Sequence, residues 1–208
     1  MLICQFCFGV LEYNVVYASE NLRKLVEEQY LQKNPKRDDW CDCLYENHVL
    51  WVVAKTDEFC KKFNADPLIA VAAALIHDIA DSVMQREDEG HEEKSLEIGK
   101  ELCEQAGYSA NEVAIIIDDI ALKHSCHDGV FPESEEGKLM AAADACSHYM
   151  TDFYLHAFNN GSGFGDYEWI VEWARKKIEK DYSNKIFHEE IRQKLKPYYE
   201  AWKLVLKS

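Results

Sequence analysis

Apolar residues recur along this chain at intervals of three and four. Leu22, Leu25, Val26 and Tyr30 share one side of a charged segment, 18–33. Leu44, Val49, Val52, Val53 and Phe59 do the same over 42–63. This is the spacing of amphipathic helices, because 3.6 residues per turn bring such positions to one face. "NPKRDDW" separates the two segments. Asp66 followed by Pro67 predicts a capped helix start, since aspartate accepts a free first-turn N–H and proline lacks one. The helix it opens is expected to run to about Val83. Further helices are predicted over 91–106, ended by Gly107, and over 109–124, opened by Ser109 with Glu112 as a capping box. A long apolar helix follows over 135–158.

"NNGSGFGD" (159–166) reads as a linker. Beyond it, Trp169, Ile170, Trp173 and Ile178 mark one amphipathic helix. Phe187, Ile191, Leu195, Tyr198 and Trp202 mark another. No stretch alternates convincingly with period two, and 4 prolines and 9 glycines are few for 208 residues. The expected class is therefore all-α. The expected organisation is a helical domain over 1–158, its core at about 40–150, with a C-terminal helical extension, 159–208, packed on it.

Composition adds three exclusions. A chain that is 48% hydrophobic and 29% charged has material for one sizeable core. Its net charge of −15 repels phosphate backbones and argues against non-specific nucleic-acid binding. A small phosphorylated ligand stays compatible, because a bound divalent cation reverses the sign locally. No apolar run reaches the roughly 18–20 residues that span a bilayer. The opening "MLICQFCFGVLEYNVVYA" lacks a basic start and reads as a packed segment rather than a signal peptide. The eight cysteines read as reduced core thiols of a cytoplasmic protein. Cys4 and Cys7 have zinc or redox spacing but no second pair, and their role stays open.

"AALIHDIAD" (73–81) conflicts with the simple pattern, because His77 and Asp78 stand at the buried end of an apolar run. His48 and Asp144 also sit on helices beside apolar neighbours. A buried carboxylate needs a partner. Two carboxylates and several imidazoles on neighbouring helices most economically share a cation. Mixed His/Asp ligation suits Mn, Fe, Co, Ni or Zn, and Mg is not excluded. Ala141, Ala142 and Ala143 would let the helix of Asp144 approach closely.

The order His48, His77–Asp78, Asp144 resembles the HD-domain superfamily of metal-dependent phosphohydrolases, whose hallmark is H…HD…D on a helical bundle. The resemblance covers about residues 40–150. It implies that His48, His77, Asp78 and Asp144 coordinate one divalent metal. His91 and His124 occupy the places where a branch of the superfamily adds ligands for a second ion or for substrate phosphate. Many relatives carry Lys or Arg three residues after the doublet aspartate, where this chain has Asp81. Asp81, His124 and Lys123 are the candidate catalytic groups, and His91, Lys94 and Lys138 the candidates for holding the substrate. His148, at i+4 from Asp144, shares its face but is not counted as a ligand. His127, His156, His188, Asp118 and Asp119 read as surface or structural groups.

The expected activity is hydrolysis of a phosphate ester or phosphoanhydride in a small phosphorylated substrate, a nucleotide by preference. The alternatives are a non-catalytic module that senses a nucleotide or phosphate, and a di-iron oxygenase-like relative. The number of subunits is not set by the sequence, and a homodimer is compatible with it.

Overall fold

The computed structural model describes residues 19–159 and 167–206, and among these no strand occurs. Helix α1 covers 19–31. Helix α2 is continuous from Cys41 to Phe63: Cys41–Leu44, a wide π-type turn Tyr45–Val49, then Leu50–Phe63. Helix α3, Pro67–Ile76, is followed by a short 3-10 turn, Ile79–Ser82. Helix α4 is His91–Ala106. Helix α5, Ala110–Ala114, continues as a wide turn, Ile115–Ala121. Helices α6, Glu135–Met150, and α7, Phe153–Asn159, come next. Helix α8, Tyr167–Lys180, continues as a third wide turn, Asp181–Lys185, and α9 is Glu189–Val205. The all-α expectation therefore holds. The opening segment with Cys4 and Cys7, and linker residues 160–166, lie outside the described residues.

The local signals act as expected where they are chemically explicit. Asp66 accepts from Leu68 N–H at 2.9 Å and caps α3. Ser109 and Glu112 form the reciprocal capping box of α5. Two boundaries differ from the sequence reading. Helix α3 ends at Ile76, not near Val83. The long helix over 135–158 breaks at Thr151, whose extended backbone ends α6. Thr151 Oγ1 donates to Ser147 O at 2.7 Å and accepts from Phe153 N–H at 3.2 Å, so one side chain closes α6 and opens α7.

Helix α3 lies at the centre, against α2, α4, α6 and the wide turn of α5. Residues 69–76 are all buried. Its alanines at 70 and 72–74, and those of α6 at 141–143 and 145, allow close helix packing. Gly99 of α4 faces the end of α3, where a Cβ would meet Ile76 Cδ1 at 2.5 Å. Leu75, Ile76, Ile79, Ile116, Ile120 and Leu139 are inaccessible or nearly so. Burial of each contributes about 1.5–3 kcal/mol. The same shell lowers the dielectric around the polar groups it encloses.

The residues after 166 join this core. Ile170, Ala174, Ile178, Ile191 and Leu195 are buried. Tyr149 of α6 donates its hydroxyl to Ile178 O, and Trp202 Nε1–H donates to Tyr149 O at 3.2 Å. The six cysteines among the described residues are free thiols. Burial pushes Cys60, Cys103 and Cys146 up to about 12, which makes them unreactive.

Candidate metal centre

His48 lies in the wide turn of α2. A π-type turn carries an extra residue and re-aims the side chains around it. His77 follows α3 and keeps helical backbone angles, but Asp78 leaves them, with φ −121° and ψ 26°. That break decides how the doublet points. On a continuous helix the two side chains would diverge by about 100°. Here His77 Nε2 and Asp78 Oδ2 lie 3.3 Å apart. His48 Nε2 is 3.3 Å from His77 Nε2 and 3.5 Å from Asp78 Oδ2. Asp144, in α6, brings Oδ1 to 3.4 Å from His48 Nε2 and 3.8 Å from His77 Nε2. His148, one turn later, sets its Nε2 3.5 Å from the same oxygen.

The outer nitrogens fix the protons. His77 Nδ1–H donates to Ala74 O at 2.9 Å, and His124 Nδ1–H to Ala121 O at 2.6 Å. His148 Nδ1–H donates to Asp181 Oδ2 at 2.8 Å. Ser147 Oγ–H donates to Asp144 O at 2.7 Å, so its oxygen accepts from His48 Nδ1–H at 2.8 Å. A carbonyl or carboxylate can only accept, and each bond leaves Nε2 as a lone pair. In their neutral forms His48, His77 and His148 thus turn Nε2 lone pairs toward two carboxylates.

Such a crowd of acceptors fits a cation. Two sets, His48/His77/Asp78 and His48/Asp144/His148, have donor atoms mutually within 4.8 Å. Ligands about 2.0–2.2 Å from one ion lie roughly 3.0–3.5 Å from each other, the spacing seen here. The electrostatics agree. Burial opposes charge on His77, but Asp78 and Asp144 together outweigh it and raise its pKa. Burial alone would raise Asp78, yet Arg86 and His77 hold it well below the usual carboxylate range. Asp144 is likewise held low, against burial, chiefly by Lys185. Burial brings His124 down to about 3 with help from Lys185, and His148 to about 3 with help from Lys177. Both are neutral imidazoles, the form that binds metals.

Two polar chains surround the cluster. In one, Lys185 Nζ donates to Asp144 Oδ2 at 2.5 Å and lies 3.8 Å from Asp181. In the other, Arg86 Nη2 donates to Asp78 Oδ2 at 2.5 Å and to Asp81 Oδ2 at 2.7 Å, while His91 Nε2–H donates to Asp81 Oδ1 at 2.8 Å. Both Asp81 oxygens are thereby used. His91 is turned to Asp81 and joins neither donor set. His124 stands edge-on to His77, ring centres 5.2 Å apart.

A cavity of about 700 Å³ opens onto this cluster at Asp78, His124, Asp144 and His148. Of the lysines chosen from the sequence, none lines it. Lys94 pairs with Glu97, and Lys123 with Asp119 and Glu133. Lys138 also lies outside its wall, as does Asp81. Its positive bank is made instead by Lys176, Lys177, Lys180 and Lys185. Sequence reasoning missed these, and also Arg86, His148 and Asp181.

Residues 45–149, about half of the chain, match the sequence model of the HD domain. The chain belongs to the HD-domain family. Members of the HD-domain family are mostly metal-dependent hydrolases. His48, His77, Asp78 and Asp144 all fall inside the HD match, whereas Asp181, Lys185 and the lysine bank of α8 fall outside it. No curated protein and no solved structure matches the chain.

Proposed function

We propose that the chain is a metal-dependent phosphohydrolase acting on a small phosphorylated substrate, with a nucleotide as the favoured class. The observation that carries this reading is the convergence of three imidazole lone pairs and two carboxylate oxygens beside a cavity with a lysine bank. His48, His77, Asp78 and Asp144 would hold one divalent ion, with His148 a fifth donor. The imidazole share of the set suits Mn, Fe, Co, Ni or Zn better than Mg. Bound there, the ion would supply Lewis acidity toward a phosphoryl oxygen and acidify water.

The chain's own residues do the rest. Ser147 and the Ala74 carbonyl lock the rings of His48 and His77. Lys185 occupies Asp144 Oδ2 and leaves Oδ1 facing the cluster. Arg86 is the cation beside Asp78, and Asp81 holds it there. Arg86 thus supplies from position 86 the positive charge that Asp81 does not. In hydrolysis the water oxygen bonds to phosphorus, the P–O bond to the leaving group breaks, and the departing oxygen keeps the electron pair. One proton is released, and His124, on the cavity wall with Nδ1–H held by Ala121 O and Nε2 left free, is the group we assign to accept it.

Elemental analysis and a nucleotide panel test the proposal. We expect about one divalent ion per chain and phosphate release that a chelator abolishes. A metal-loaded protein that binds nucleotides and never turns them over would instead establish the sensor reading.

A further inference from the structure

Helix α8 brings an unusual charge arrangement to the cavity. Lys176, Lys177 and Lys180 stand at i, i+1 and i+4, and all line the wall beside the metal cluster. In a chain of net charge −15 this is a local concentration of positive charge. Three neighbouring lysines are balanced: Lys185 by Asp144, Lys177 by Asp181 at 3.6 Å, and Lys176 by Glu172 at 3.6 Å. Lys180 is not. Its Nζ lies 3.1 Å from His127 Nε2, and no carboxylate pairs with it among the described residues. Burial, then Lys177 and Lys185, lowers its pKa to about 8. A lysine crowded by cations and withdrawn from water is stabilised when an anion arrives. The cavity is also lined by Glu87, Asp88, Glu92 and Glu93, which disfavour an anion beside them.

We infer that Lys177 and Lys180, with Lys176 at the rim, form a second anion subsite, so that the substrate carries two or more linked phosphoryl groups. The group to be cleaved lies at the His/Asp cluster and the next one on the lysines. The assignment of cleavage rests on the phosphohydrolase reading, but the subsite itself does not. It is supplied by residues outside the family match, so it distinguishes this chain from what the matched segment alone provides.

Titration calorimetry of the full metal-loaded chain with pyrophosphate and with inorganic phosphate tests it. Pyrophosphate is expected to bind at least about tenfold tighter than phosphate. Lys180→Met should weaken pyrophosphate binding about tenfold and phosphate binding less than about twofold, with metal content unchanged. Lys176→Met, at an exposed position, should weaken pyrophosphate by about two- to threefold and provides a readout if the first variant does not fold. Equal affinity for the two anions, or equal losses of both in either variant, overturns the subsite. The same titration on chelator-treated protein separates this from the metal-centre reading. Lysine-dependent pyrophosphate binding that survives without metal or turnover upholds the subsite while the hydrolase reading fails.

Discussion

Asp181 Oδ2 accepts from His148 Nδ1–H at 2.8 Å, tying the wide turn after α8 to the imidazole one turn beyond Asp144. The bond fixes the tautomer of His148. Outer partners of this kind typically govern metal affinity by 10–100-fold. Asp181→Ala is therefore expected to lower metal affinity by about that factor, whereas Asp181→Asn, which can still accept from Nδ1–H, should lose less than about threefold. Calorimetric metal titration reads both. Wild-type affinity in Asp181→Ala would remove His148 from the centre.

His77→Ala and Asp78→Ala each delete a donor from the crowded inner face. Each should strip bound metal and nearly all phosphate release, while Asp118→Ala, on the exposed face of α5's wide turn, should change neither. Metal content by elemental analysis decides. Full occupancy in either of the first two variants would be incompatible with the proposed centre.

Arg86 separates a structural from an electrostatic role. Its guanidinium bridges Asp78 and Asp81, so Arg86→Met leaves the buried Asp81 and the partly buried Asp78 without their cation. The metal-free variant should lose about 3–5 kcal/mol of stability. A divalent ion then replaces the missing charge, so metal addition should raise the Tm of the variant more than that of the wild type. Thermal unfolding with and without metal measures this, and an equal rise in both proteins would count against it.

Asp119 offers a pH test away from the proposed metal ligands. It accepts from Glu133 N–H, Ser134 N–H, Ser134 Oγ–H and Lys123 Nζ, at 2.8, 3.0, 2.5 and 3.0 Å. Burial acts to raise its pKa, but Ser134, these backbone donors and Lys123 outweigh it and bring it to about 2. A carboxylate depressed on folding stabilises above its unfolded pKa of about 3.9, and that stability is lost as pH falls through the folded value. Asp119→Asn should thus cost about 1 kcal/mol at pH 7, allowing for solvent screening, with the difference closing between about pH 4 and pH 2. Denaturant midpoints across that range supply the measurement. A difference that is flat through it would show that the charge of Asp119 contributes nothing.

Helix starts were legible because their chemistry is local: Asp66, Ser109 and the residues they cap are close in sequence. The order His48, His77–Asp78, Asp144 was legible because buried polar residues stand out against apolar neighbours. The wide turns were not, since one extra residue shifts phase without changing composition. All three adjoin the cluster: one holds His48, one leads to His124, and one holds Asp181 and Lys185. Lys94 and Lys123 stand close to His91 and His124 in sequence. Closeness in sequence does not make side chains share a wall, and both lysines pair with surface acids instead. The lysines of α8 look like any solvated helical face until folding brings that face to the cavity.

The alanine runs of α3 and α6 carry a consequence for ion choice. His77 and Asp144 belong to neighbouring helical segments, α3 and α6, that are in contact and rich in buried alanine, at 70 and 72–74 in one and 141–143 in the other. The spacing of the proposed donors therefore depends on residues whose side chains offer no donor atom. Swapping one such methyl for an isopropyl group would prise the donors apart together, shifting preference toward a larger radius with the chemistry of every donor intact.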